Sequence, residues 1–495
     1  MNKRQRRIQR STLINLVFLL LILLNVCYSF LQHYHMPLDG DIAESVVPAG
    51  WMHKVFNDPF AFKVLLRAET YPNPNRFFCH MPMFLYLRNV PLVLQAVFNP
   101  IDSVYLSCAL LKTALQFSFI FLLSFLITRT HTKYSFSQLL LPALIITPLF
   151  QNEGYNAYMG VIDRSITYTF FYALPMFLLV LFYLPVYSAE IKGAHYQSGW
   201  RYKTGMILLS VILPFSGPLI AGAALTSSAL ILLKKAILNY NKAPEQPLIK
   251  RVLFAISNLP QFLLVILSFL SALSLYSLYI GTYNSTNTVA ELAVWERYLR
   301  LPKGLYNILT TRLGWPLLLC MSVLNVYIIS RKKETPYASI MLTLFKWMCI
   351  FCVIYILLLP LGGYRSYRPN IIRYDTILPI TVCFIFFYSM SANFIIRNLS
   401  IKNKSLYMML VAGVALIFTG SNFHKLDRNQ CERSALAEIA KSPAKMQLLK
   451  GGYDCTILAW NKINDDTTMA MNAYLLTHWN IVKTVNNTKV SRPVQ

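Results

Sequence analysis

The sequence predicts an all-α polytopic membrane protein of about eleven transmembrane helices, and three observations carry that prediction. The 495-residue chain is 56% hydrophobic. Only 13% of it is charged, where a soluble chain carries about 25%. Its apolar residues also fall in repeated unbroken runs near membrane-spanning length, which a large soluble core does not require. The net charge of +26 would suit nucleic acid if Lys and Arg were gathered on one surface. They recur instead in short groups between apolar runs, as orienting charges do in a bilayer. No nucleic-acid partner is expected.

The elements follow in order. Lys3, Arg4, Arg6, Arg7 and Arg10 precede an apolar run over 12–31. The run is long and no small-x-small cleavage site follows it, so it reads as a retained signal anchor with a cytoplasmic N-terminus. Further spans are expected near 103–128, 136–150, 166–188, 205–217 with 218–233, 252–280, 315–330, 340–361, 376–396 and 406–420. The stretch 206–233 could be one helix or two short ones broken at Pro214, Gly217 and Pro218. Lys192, Arg201 and Lys203 lie before it, and Lys234, Lys235, Lys242, Lys250 and Arg251 lie after it. Both flanks are therefore read as cytoplasmic, and the chain enters and returns.

This order sets 22 of the 46 basic residues, but three of the 20 acids, on the cytoplasmic side. Every short cytoplasmic loop is basic. The extracytoplasmic side takes the long loops 33–102, 151–165, 281–314 and 362–375. The division is thus a transmembrane domain over 1–420, with 33–102 as its first extracytoplasmic loop, and a small extracytoplasmic tail over 421–495. Long ordered loops usually carry sites, so function is expected on this side. Within the first loop, 83–98 reads as a helix that either lies in the interface or is buried. Six cysteines fall in spans as small packing residues. Cys431 and Cys455 share the tail and are expected to pair in an oxidising compartment, leaving Cys79 free.

Three clusters could carry chemistry. Asp39, Asp41 and Glu44 open the first loop, where a carboxylate near the bilayer can act as a base; a turn start is the plain alternative. Glu153, Asp163 and Arg164 lie in the second loop. There Glu153 and Asp163 could hold a divalent cation together with the first cluster, or Asp163 could cap the next helix or pair with Arg164. Tyr364, Arg365, Arg368, Arg373 and Tyr374 crowd a short loop where orientation rules leave arginine scarce. Guanidinium forks bind phosphate there, or anionic lipid heads. Lys112 inside a span is a further candidate. Tyr71-Pro72-Asn73-Pro74-Asn75-Arg76 reads first as rigid turns, with Arg76 and His80 as substrate contacts second. No zinc-ligand spacing, Walker-type Gly-rich loop or Gly-x-Ser-x-Gly is present, and no cofactor is expected.

Together these features resemble the GT-C superfamily of membrane glycosyltransferases, which use polyprenyl-phosphate sugars. The likeness lies in one helix, then a long loop opening on acids, about eleven spans, an acidic second loop, and Arg-Tyr before a late helix. It covers most of 1–420, in architecture more than in letters. Such enzymes often have adjacent Asp-Glu in the first loop, whereas here Ile42 follows Asp41 and Glu44 comes later. The resemblance implies residence in a bacterial inner membrane. It also implies a lipid phosphate held by Arg365, Arg368 and Arg373, and Asp41 or Asp39 as base toward a hydroxyl of a glycan, lipid or protein acceptor. A flippase or transporter of lipid-linked glycans, or a polymerase or ligase, is the alternative.

Overall fold

A computed structural model describes residues 3–48, 50–129, 135–150, 159–192, 199–287, 292–332, 335–399, 403–422, 426–442, 449, 453–463 and 465–482. Among them the chain is helical throughout, and its one β-bridge joins Tyr71 to Asn284. The order begins with α1 (Lys3–Tyr34) and α2 (Asp41–Val46). Then come α3 (Phe77–Leu94), α4 (Pro100–Thr128), α5 (Phe136–Ile146) and α6 (Ile166–Ile191). Next are α7 (Trp200–Ile212), α8 (Pro218–Tyr240), α9 (Leu248–Ser257) and α10 (Gln261–Gly281). After these run α11 (Val294–Thr310), α12 (Gly314–Ser330), α13 (Pro336–Leu358), α14 (Leu378–Asn398) and α15 (Lys404–Ser421). The tail adds α16 (Gln430–Lys441) and α17 (Asp466–His478).

Nine helices of the described residues are long and apolar enough to cross a membrane, which makes this an integral membrane protein. Local chemistry sets their ends. The side chain of Asn99 accepts from the amide of Asp102 at 2.9 Å, and Pro100 opens α4 without an amide of its own to satisfy. The stretch 206–233 is broken, with a turn at Pro214–Ser216 and Gly217 at φ +104. Because Ser277 on α10 donates to the carbonyl of Pro214, that turn is covered by protein.

Several elements depart from the sequence reading. The expected span 252–280 is two helices, α9 and α10, since Pro260 has no amide to continue the ladder. The stretch 281–314, read as loop, contains the amphipathic α11, which bends 85° into α12. The helix expected at 83–98 begins earlier, at Phe77, and is apolar enough to pass for a span. Its contacts tie it to the turn before α8 and to the tail. Cys79 in its first turn donates to Ser216, while Trp479 of the tail donates to Leu87 and Gln95 to the carbonyl of Trp479. The tail packs onto the bundle. Trp479 is fully buried, and Leu436, Leu458 and Leu475 belong to the same apolar core as the spans. The expected Cys431–Cys455 disulfide is present, with Cα atoms 6.2 Å apart.

Candidate functional site

The acidic stretch sits at the end of the bundle where α1 stops, and its three carboxylates have different surroundings. Asp39 is buried and fully engaged. It accepts from the hydroxyls of Ser165 (2.6 Å) and Thr167 (2.7 Å), and from the amides of Thr167 (3.1 Å) and Asp41 (3.2 Å). Four donors saturate a carboxylate, so Asp39 ties the first loop to the start of α6. Glu44 accepts from the indole of Trp51 at 2.6 Å. Asp41 is half-buried, and one of its oxygens accepts from the indole N–H of Trp460 at 2.8 Å. Burial first, then the charge of Asp39, pushes its pKa up to about 7, against the Trp460 hydrogen bond and the Arg76 charge. Asp41, unlike Asp39, keeps spare acceptor capacity, and its raised pKa lets its proton exchange near neutrality.

The second cluster is a brace. Asp163 is buried and accepts from the amide of Ser165 at 2.7 Å, while the cap of the next helix is Ser165, whose hydroxyl accepts from Tyr168. Asp163 therefore makes a turn two residues before the cap it was expected to be. Burial pushes its pKa up to about 7. Lys112 reaches from α4 to donate to the carbonyl of Arg164 at 2.6 Å. Glu153, expected as a metal partner, lies outside the described residues. Among the described residues no group of three or more His, Cys, Asp or Glu is placed to hold a metal.

The arginines divide more sharply. Arg373 makes a two-pronged pair with Asp375 at 2.7 and 2.8 Å and covers the rings of Tyr168, Tyr367 and Tyr374. Arg368 shares the same carboxylate at 2.7 Å and donates to the hydroxyl of Tyr172 at 2.6 Å. Burial alone would raise Asp375, but Arg368 and Arg373 outweigh it and hold its pKa below the ordinary range. Among the described residues Arg365 has no carboxylate partner; it donates to Thr286 at 2.6 Å. Tyr364 accepts weakly from Arg300 at 3.4 Å. The loop backbone is unusual at Ile371, a β-branched residue at φ +63 in a tight turn closed by a 2.6 Å hydrogen bond from Ile372 to Asn370.

Arg76 comes from the first loop. Asn75 donates to the carbonyl of Ser277 and accepts from the amide of Gly217, which wedges the turn between α8 and α10. The Arg76 side chain then lies beside Gly217, where any Cβ would sit 3.6 Å from its Nε. It crosses the ring of Phe171 at 5.4 Å, and its buried Nε has no hydrogen-bond partner among the described residues. His80 packs edge-on between Trp51 and Phe171, with neither ring nitrogen partnered among the described residues.

Arg76, Arg365 and Arg368, joined by Arg297 of α11, line a cavity of about 920 Å³. Among the described residues no carboxylate lines it. Of the four, only Arg368 has an ion-pair partner among the described residues. Burial and the Arg76 charge pull the pKa of Arg365 down, as expected of cations crowded without an anion. The far wall is apolar, with Leu219 and Leu225 on α8, Leu278 on α10, and Leu358 and Leu361 at the end of α13. Asp41 is outside the cavity wall. Arg76 belongs to both places, since it lines the cavity and its charge acts on Asp41. A second path of contact runs from Asp41 through Trp460 to Tyr168, whose rings are 5.8 Å apart, and on to Arg373.

Sequence reasoning did not nominate Arg297, Trp460, Tyr168 or Tyr172. A signal for Arg297 exists in the alternation of Trp295, Leu299 and Tyr306 with Arg297, Arg300 and Lys303. None exists for the tyrosines; Tyr172 lies in a π-helical turn at Thr169–Ala173 and Tyr168 immediately precedes it. No family model, curated protein or solved structure matches the chain.

Proposed function

We propose that the protein is a membrane glycosyltransferase that moves a sugar from a polyprenyl-phosphate carrier to an acceptor hydroxyl. The observation that carries this reading is the cavity, where four guanidiniums meet a wall of leucines with no carboxylate among the described lining residues. Such a site suits a ligand with an anionic head and a long apolar tail. Its volume is within the usual range for a small-molecule site, roughly 300–1,000 Å³. Arg76, Arg297 and Arg365 receive the phosphate. Arg368 contributes one edge while Asp375 holds it in place, and Arg373 braces the loop. Asp41 takes the proton of the acceptor hydroxyl as its oxygen attacks the anomeric carbon. The bond from that carbon to the lipid phosphate breaks, and the arginines stabilise the negative charge that departs with the phosphate.

In this reading the site faces away from the cytoplasm, in a bacterial inner membrane, with the N-terminus inside and the tail outside. The eleven-span order then counts eight of the nine long helices, all but α3, together with the short α5, α7 and α12. The direct test is capture of a polyprenyl-phosphate probe by purified protein. Arg76→Ala and Arg365→Ala should each weaken binding about tenfold or more, the worth of a charge-assisted hydrogen bond. Lys332→Ala, at the opposite end of α12, should not. Equal affinities in all four proteins would remove the phosphate site.

A further inference from the structure

We infer that the C-terminal tail completes the site: the segment 453–463 is a fixed strap whose Trp460 positions Asp41, and the Cys431–Cys455 disulfide together with Glu432 holds that strap in place. The inference deepens the glycosyltransferase reading and rests on it for the word site, but its geometry is independent of the reaction.

Five observations converge. The Trp460 indole N–H donates to Asp41 at 2.8 Å across a separation of 419 residues. Gly40, immediately before Asp41, packs against the strap so closely that a Cβ there would meet the Trp460 amide nitrogen at 2.6 Å and its Cδ1 at 2.8 Å. Such a contact requires glycine for closeness of approach. Glu432, buried in α16, accepts from the amide of Leu38 and from the amide of Leu458, both at 2.9 Å, and from the hydroxyl of Tyr105 at 2.7 Å. One carboxylate thus ties the stretch before Asp41 to the strap before Trp460. The disulfide joins Cys431, next to Glu432, to Cys455, three residues before Leu458. Leu458 itself is held at φ +50, an unusual conformation for leucine that the surrounding bonds maintain.

The indole has two tasks in this arrangement. Its N–H fixes the direction of one Asp41 oxygen and leaves the other for a proton. Its ring leans on Tyr168 at 5.8 Å and is 49% exposed beside the carboxylate, so it also forms part of the wall an acceptor would meet. The charged groups that act on Asp41 are Asp39, Glu44 and Arg76, of which the two acids raise its pKa and the arginine lowers it. The indole hydrogen bond sides with Arg76 and favours the carboxylate. Losing it should therefore leave Asp41 protonated to higher pH, by about one unit, the worth of one hydrogen bond to a charged group.

The test needs no sugar transfer. Carbodiimide labels protonated carboxyls, and peptide mass spectrometry locates the label on Asp41 in purified full-length protein across a pH series. The wild-type label should fall with a midpoint near 7. In Trp460→Phe, which keeps the ring and removes the donor, the midpoint should rise by about one unit. Cys431→Ser with Cys455→Ser, or Gly40→Ala, should move it the same way. An unchanged midpoint in Trp460→Phe overturns the inference. Because a strap variant could misfold, tryptophan emission of otherwise intact protein is the second measurement. A pH-dependent change near 7 should be lost in Asp41→Asn, and its persistence there also overturns the inference. Should these shifts occur while no polyprenyl-phosphate sugar is consumed, the strap stands and the glycosyltransferase reading falls.

Discussion

At the scale of residues, the two aspartates that are neighbours in sequence have opposite work. Asp39 spends all its acceptor capacity on Ser165, Thr167 and the Asp41 amide. Its removal should be felt as lost stability, about 2 kcal/mol or more for donors left buried without a partner. Asp39→Asn would show this as a lowered unfolding temperature in detergent. Asp41 should matter to rate instead. A base must be deprotonated, and its pKa stands at about 7, so transfer should rise from acid pH and level off above 7 or so. Asp41→Asn should abolish that limb of the profile. The acidic cluster was visible in the sequence as three carboxylates within six positions. That Asp39 is saturated and Asp41 is not was not visible, because the partners that decide it come from the start of α6 and from Trp460, far along the chain.

At the scale of elements, the loop between α13 and α14 combines three arginines on a backbone held by close contacts. Gly304 of α11 leaves no room for a Cβ, which would meet the carbonyl of Asn370 at 2.7 Å and Ile372 at 2.8 Å. Gly304→Val should therefore displace the loop and weaken lipid-phosphate capture without touching any arginine, a change visible in the same probe assay. Asp375 pairs with both Arg368 and Arg373 while almost wholly buried. Asp375→Asn leaves two cations short of a counter-charge, at a cost of about 3–5 kcal/mol. Since the folded-state pKa of Asp375 is depressed, that stabilisation is present above the ordinary carboxylate range and fades as pH falls through the depressed value. The concentration of arginine was readable from the letters. The separation of Arg373, a brace, from Arg365, a cavity residue, was not, because Asp375 reads locally as one more loop acid.

At the scale of the whole molecule, the hydropathy pattern located most of the bundle but not its finishing parts. Long apolar runs reveal upright helices. They do not reveal that α3 is tied in its first turn to the turn before α8 and at its middle to the tail. Nor do they reveal that α11 lies at 85° to α12, or that a polar tail folds back over the site to bury Trp479. These features depend on contacts between segments hundreds of residues apart. The central claim joins them: a lipid phosphate among Arg76, Arg297 and Arg365, and a base at Asp41, serving one sugar between them. The most direct measurement is transfer from radiolabelled polyprenyl-phosphate sugars in membranes, with wild type beside Asp41→Asn. The account predicts transfer by wild type and a loss of roughly 10²–10⁴-fold in the variant, with donor binding retained. Transfer at the wild-type rate by Asp41→Asn, or none by the wild type across the polyprenyl-phosphate sugars supplied, would contradict it.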